Sequence, residues 1–313
     1  MTSQQSRRYQ WPTVELGTPA TGGPLTVWPI MSGNGNCGDY TLLSTAIEKG
    51  SARVTEVSEG ARVPVIEIEN TGEIPVLGIQ GEEFVGAKQN RTLNVSVLAA
   101  PGKTRIPVTC VEQGRWEAGM RKFGSGMHEY YALRLMKAEM TSRSRKTAGD
   151  ATVRFAADQG RVWSEVLRAS AEHGVHSPTM AMNELYSSGK TESTLNGIIE
   201  GVQLPGGSRG VVVALGGRMQ GMDLFETEET FAVVWPALLR SYAFGALGRK
   251  ESAPPSTEAA ESFVAAPRGL SWNATPSVGL GEDVRWESKT HLATALVWED
   301  RFLHAALFAR AVF

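Results

Sequence analysis

The stretch GEEFVGAKQNRTLNVSVLA, Gly81 to Ala99, decides how this chain is read. It sets two carboxylates, a Lys, a Gln, an Asn and an Arg between apolar, strand-like runs, where a solvated turn is usually richer in Ser, Asp and Pro. Read as a strand, TLNVSVLA puts Leu93, Val95 and Val97 on one face and Asn94 and Ser96 on the other, because side chains alternate with a period of two. Carried backwards, the same parity lines Gln89 and Arg91 up with the apolar face, at its rim, and puts Asn90 on the opposite side. Glu82 and Glu83 are successive and point to opposite faces, so one of them can pair with Arg91. A buried or half-buried Arg demands a carboxylate, a phosphate or a similar partner.

Around this stretch the chain reads as β-rich. VPVIEIEN, IPVLGIQ and RIPVTCVEQ are short, rich in β-branched residues and bounded by turn residues. LTVWPI, Leu25 to Ile30, is a first strand after an irregular lead-in over 1–24, and TLLSTAIEKG is a short helix. From about residue 127 the period changes. HEYYALRLMKAEM is helical. ATVRFAADQGRVWSEVLRASAEHG reads as one longer helix with Val153, Ala156, Trp163, Leu167 and Ser170 on one side, and SPTMAMNELYSSG as a shorter one. GVQLPGGSRGVVVALGGRMQGMDLF returns to strand–turn–strand with GGSRG as the turn. ETFAVVWPALLRSYAFGALG has the strongest helical repeat, with Pro236 either kinking or starting the helix. Residues 251–262 form a loop, and THLATALVWED with RFLHAALFARAVF close the chain as a hairpin. The expected fold class is α+β: a mostly antiparallel sheet or sandwich block, a helical segment packed on it and a C-terminal β-hairpin. A single domain is expected over 25–313, β-rich to 116, helical over 127–200 and β/α from 201.

Composition narrows the function classes. Lys and Arg (31) nearly balance Asp and Glu (33), so no global basic field draws the chain to nucleic acid or to an anionic membrane. The N-terminus has no apolar run of a secretory signal, and no stretch approaches a membrane span. A cytoplasmic location is the default, and homo-oligomerisation stays open. Sequons at Asn90, Asn94 and Asn273 are read as chance matches. The two cysteines, Cys37 and Cys110, form no zinc or disulfide pattern. His173 and His176 are closely spaced but follow a helix end, so no metal ligand is assigned, and metal dependence and cofactor both stay open. No GxxxxGK[ST], GxSxG or HExxH is present, and GLGEDVRW lacks the glycine spacing and βαβ context of a dinucleotide fingerprint.

The second chemical stretch is TCVEQGRW, Thr109 to Trp116. It puts the Cys110 thiol and the Glu112 carboxylate on one strand face, then a turn at Gly114, with Arg115 and Trp116 able to stack or to bind an anion. A nucleophilic Cys110 needs a cation or a base beside it, and a lone strand cysteine is more often a small core residue. Glu112 is the stronger candidate, since a carboxylate on an apolar face is costly unless paired or used.

Together, LGIQGEEFVGAKQNRTLNVSVL and IPVTCVEQGRW resemble the signature of the ADP-ribosylglycohydrolase- and rhodanese-phosphatase-associated protein domain family. The Gln159-x-x-Val-Trp163 run, GMDLF at Gly221 to Phe225, the Trp235 to Tyr242 helix and LHAALF resemble it as well. The resemblance implies a part in handling NAD-derived or ADP-ribosylated compounds, and so a small nucleotide-like ligand. It transfers no mechanism. On this reading Glu112 or Glu82 serves as general acid or base, Arg91 and Arg115 hold phosphate, Gln89 and Asn90 read hydroxyl or amide groups, and Trp116 stacks on a ring; Cys110 is the third catalytic candidate. Hydrolysis of an ADP-ribose-type glycosidic linkage would use two carboxylates, and hydrolysis of a phosphate linkage is the other option. The alternative is a non-enzymatic, self-assembling or partner-binding module in which the same motifs lock the fold.

Overall fold

The structure, a computed structural model, describes residues 9–31, 39–57, 64–115, 123–147, 149–268 and 272–310. Cys37 and Trp116 lie outside these residues. In chain order the strands up to the first long helix are β1 (Ala20–Gly22), β2 (Leu25–Met31), β3 (Thr41–Leu42), β4 (Ala52–Glu56), β5 (Val65–Asn70), β6 (Val76–Gly78), β7 (Glu82–Gly86), β8 (Arg91–Leu93), β9 (Val97–Ala99), β10 (Gly102–Cys110) and β11 (Phe123–His128), with helix α1 (Leu43–Glu48) after β3. Helices α2 (Tyr131–Ser144), α3 (Ala151–Arg154), α4 (Gln159–His173), α5 (Glu184–Ser187) and α6 (Gly189–Glu200) follow. Then come β12 (Ser208–Leu215), β13 (Arg218–Phe225), α7 (Glu228–Ala246), α8 (Thr257–Ala265), β14 (Asn273–Pro276), β15 (Glu282–Glu287), β16 (His291–Trp298) and β17 (Arg301–Ala309). The fold is α+β with mainly antiparallel sheets.

The chain divides into two compact units, one of Met1–Cys37, Ser193–Pro276 and Gly281–Phe313, the other of Gly38–Glu192 and Ser277–Leu280. The first holds an antiparallel sheet in the order β1-β2-β12-β13-β17-β16-β15-β14. Its core packs Trp28, Ile30, Val212, Leu224 and Leu307 against Ala260, Phe263 and Val264 of α8. The closing hairpin is β16 paired with β17, and its two turn residues, Glu299 and Asp300, both have positive φ, as the tight two-residue turn requires. Three sequence readings change here. The β12–β13 turn is Gly216–Gly217, both at positive φ, and GGSRG instead leads into β12. Helix α8 begins inside the expected loop, where Ser256 Oγ caps it by accepting from Ala259 N. The lead-in is partly structured: it contains β1, and Trp11 Nε1 donates to Val264 O at 2.8 Å.

The second unit holds a six-stranded sheet, β11-β7-β8-β10-β5-β4, and a small one, β3-β6-β9. TLNVSVLA is not one strand: β8 belongs to the first sheet and β9 to the second. The cause is Asn94, whose side chain donates to Phe155 O and accepts from Thr109 Oγ1, while Ser96 Oγ accepts from Gln80 N. These bonds replace ladder pairing and turn the chain. Leu93, Asn94 and Val95 are all buried, so the expected alternation is lost. The expected long helix also breaks in two. Ser144 Oγ donates to Arg154 O and Ala156 O beyond α3, and Asp158 caps a fresh start by accepting from Arg161 N. The break resets the helical phase: α4 buries Val162, Val166, Ala169 and Ser170, whereas Val153 and Leu167 are exposed. Of the helix expected in SPTMAMNELYSSG, only α5 forms.

Candidate functional site

Strands β7, β8 and β10 are neighbours, and their register defines two faces. Phe84, Arg91 and Cys110 stand opposite one another across the ladder, as do Glu83, Thr92 and Thr109. Directly opposed residues in an antiparallel ladder share a face. One face is therefore the apolar core side with a single guanidinium set into it, and the other is polar and buried.

The β7–β8 hairpin is held by Arg115. Its Nη1 donates to Ala87 O at 3.0 Å, its Nη2 to Asn90 Oδ1 at 3.0 Å and to Glu112 Oε2 at 2.7 Å, and its Nε to Glu112 Oε1 at 2.9 Å. The hairpin needs such a clamp, because Ala87 sits at φ 45, a costly conformation for a residue with a Cβ. Asn90 extends the clamp: its N donates to Glu112 Oε2, its Nδ2 to Glu83 Oε1, and its Oδ1 also accepts from Gly86 N. Thr179 Oγ1 donates to Glu112 Oε1 at 2.8 Å. Burial alone would push the Glu112 carboxyl up, but these donors, Arg115 first, bring it below its ordinary value. Glu112 is thus a fixed anion, and Arg115 directs its fork inward. Asn90 and Asn94 are both buried, which removes them as glycosylation acceptors.

On the apolar face Arg91 is wholly buried. Its Nη1 donates to Gln89 Oε1 at 3.1 Å, and its Nη2 lies 3.7 Å from Glu56 Oε1 at the end of β4. The expected pairing of Arg91 with Glu82 or Glu83 does not form, and Glu112 pairs with Arg115 instead. Strand parity gave the face correctly, but the nearest carboxylate on that face comes from another strand. Gln89 Nε2 reaches Gln113 O at 3.4 Å. Cys110 is a buried thiol pushed up by desolvation, against which the nearby Arg91 charge acts, and its Sγ donates to Glu112 O. The Gln159 side chain donates to Cys110 O and accepts from Cys110 N, each at 2.8 Å. It continues the ladder where β5 has ended, which gives the Gln159-x-x-Val-Trp163 run a structural reason.

The polar face holds residues that sequence reading missed. Glu83 is fully buried; its Oε2 accepts from Met127 N and its Oε1 from Asn90 Nδ2. Desolvation, reinforced by the Glu112 and Glu129 charges, pushes its carboxyl up to about 8. Glu129 and Lys137, both buried, form an ion pair at 2.7 Å, and Thr92 Oγ1 donates to Glu129 and accepts from Lys137. Lys137 also donates to Leu93 O at 3.0 Å, and burial pulls its ammonium below its ordinary value. Glu82 stands on the opposite face, across from His128. Its Oε2 accepts from Ile79 N, and desolvation pushes its carboxyl up to about 7. Gly126 makes the close approach possible: a Cβ there would lie 2.8 Å from Glu83 Oε2. One signal for the missed group was present. Arg134, Lys137 and Thr141 recur at i, i+3 and i+7 of α2 and are all buried, so this helix turns a polar stripe inward. Among the described residues, no His, Cys, Asp or Glu group is placed to hold a metal ion, and no helix is long and apolar enough to cross a membrane.

A family model described as ARG and Rhodanese-Phosphatase-superfamily-associated Protein domain matches residues 13–308. No curated protein and no solved structure matches the chain.

Proposed function

The chain belongs to the ARG and Rhodanese-Phosphatase-superfamily-associated Protein domain family, and we propose that it is a hydrolase of an NAD-derived or ADP-ribose-like compound, with proton transfer at Glu83 and Glu112. One observation carries this reading. The two carboxylates are electrostatically coupled, and their surroundings drive them in opposite directions, Glu83 up to about 8 and Glu112 below its ordinary value. Acid and base roles are separated in this way in enzymes that run both at neutral pH. In cleavage of a glycosidic bond, Glu83 gives its proton to the departing group and Glu112 takes one from the attacking water. Asn90, bonded to both carboxylates, holds them in register. Arg115 positions Glu112 and does not hold phosphate in this reading. The substrate class rests on the association in the family's description and on the resemblance of the motifs.

The test begins with thermal unfolding of the whole chain against NAD, ADP-ribose and related nucleotides, since a ligand that binds the folded state raises its stability. A bound nucleotide is then assayed for turnover. Glu83→Gln is expected to keep the ligand-dependent shift and to lose turnover by roughly 100-fold or more. Full turnover in Glu83→Gln, or the absence of any nucleotide response, rejects the proposal.

A second reading, the non-enzymatic module, is favoured by the inward use of Arg115 and Asn90. On that reading Glu112→Gln lowers stability and alters self-association or partner binding, with no turnover to lose.

A further inference from the structure

The Arg91 guanidinium is fully buried and its two edges are unequal. Nη1 is held by the Gln89 side chain and backbone carbonyls. Nε and Nη2 make no hydrogen bond, and together they are one complete edge of the fork, the geometry that grips two oxygens of a single oxyanion. Glu56 neutralises the charge from 3.7 Å, beyond hydrogen-bond reach. The surroundings supply no better partner: Ile66, Phe84, Val108 and Cys110 are buried on this side of the sheet. An ordinary structural ion pair in such a place is docked through hydrogen bonds, because desolvation otherwise outweighs the attraction. Glu56 is the last residue of β4 and its partner Ile66 is the last in that ladder's register, and besides Arg91 its carboxyl is influenced by the backbone and charge of Lys88.

We propose that the Nε–Nη2 edge of Arg91 is a receptor for a phosphoryl oxyanion, with Glu56 as the resident counter-ion that the phosphoryl group displaces. Gln89 acts as the positioning residue, fixing the fork through Nη1 so that the receptor edge stays in place. The proposal deepens the reading above and rests on it for the choice of a phosphoryl group over other oxyanions. It adds Glu56, which competes with the ligand, and gives Arg91 a role separate from the proton transfer at Glu83 and Glu112.

The whole chain is unfolded thermally across a series of inorganic phosphate concentrations at constant pH and ionic strength, with acetate as the control anion. Phosphate is expected to raise the wild-type midpoint and acetate to leave it unchanged. Glu56→Gln removes the competing charge and should lower the half-saturating phosphate concentration by about tenfold. Arg91→Lys keeps a charge but loses the edge and should show no phosphate response. Should Arg91→Lys fail to fold, Glu56→Gln decides alone. A phosphate response in Glu56→Gln equal to or weaker than that of wild type overturns the proposal, as does an equal response to acetate. Glu83→Gln retains the phosphate response whenever the receptor exists, whereas its turnover reports on the proton-transfer reading alone, so the two failures are distinguishable.

Discussion

The two units bury charge in different ways. In the eight-stranded sheet, Asp223 accepts from Tyr242 OH at 2.5 Å through one oxygen and meets His304 Nε2 at 3.1 Å through the other, while the His304 ring stacks on Phe225. Another buried pair there, Asp283 and Arg285, is joined by two hydrogen bonds at 2.8 and 3.1 Å. In the six-stranded sheet, Glu82 and Glu83 are held with carboxyl values near neutral, and Arg91 faces Glu56 without a hydrogen bond. A buried charge that is fully bonded stabilises or specifies a fold; a buried group held in the wrong protonation state costs stability and persists where function requires it. The difference makes the second unit the place to test the proposed chemistry.

The largest expected effect comes from breaking its fully buried Glu129–Lys137 ion pair. Lys137→Ala leaves Glu129 buried with its cation gone and should lower unfolding stability in urea by about 3–5 kcal/mol; a loss below about 1 kcal/mol would show that the polar face is solvated and not a closed layer. The next effect is on pH dependence. The folded-state value of Glu83, about 8, lies above its ordinary value, so its contribution is full below about pH 4.5 and is lost as pH rises through 8. Stability should therefore fall with rising pH across that window by up to about 1.4 kcal/mol per pH unit for one group. Glu83→Gln should flatten the slope, leaving the smaller part due to Glu82, and an unchanged slope would erase the contrast between the units. The smallest effect belongs to the closed cluster. Asp223→Asn keeps the shape and weakens two bonds, costing about 2 kcal/mol with no change in ligand response or turnover.

Much of the fold was legible because it follows from local periodicity. The closing hairpin is two apolar runs around a short polar turn, and α7 shows a sustained helical repeat, which its N-cap Thr227 starts by accepting from Thr230 N. The errors came where a single side chain redirects the backbone. Asn94 splits TLNVSVLA between two sheets, and Ser144 with Asp158 breaks one expected helix into two. The Asn94 and Ser144 bonds join residues 10 or more positions apart in the chain and leave no periodic trace.

The candidate site divides along the same line. From sequence alone, alternation aimed Arg91 at a buried face and put Glu82 and Glu83 on opposite sides, because strand parity is a property of the backbone. GEEFVGAKQNR and CVEQGRW marked the polar stretch for the same reason: amide and charged groups so dense are costly to bury unless they bond to one another. Only the tertiary structure decided the partners. The order β8-β10-β5-β4 brings Glu56, not Glu112, to Arg91; the loop after β10 turns Arg115 onto Glu112 and Asn90; and α2 lays Lys137 over Thr92 and Glu129. Which carboxylate becomes a neutral acid and which a fixed anion is set by the donors and charges around each, and those are supplied by strands and helices that meet only when the chain is folded.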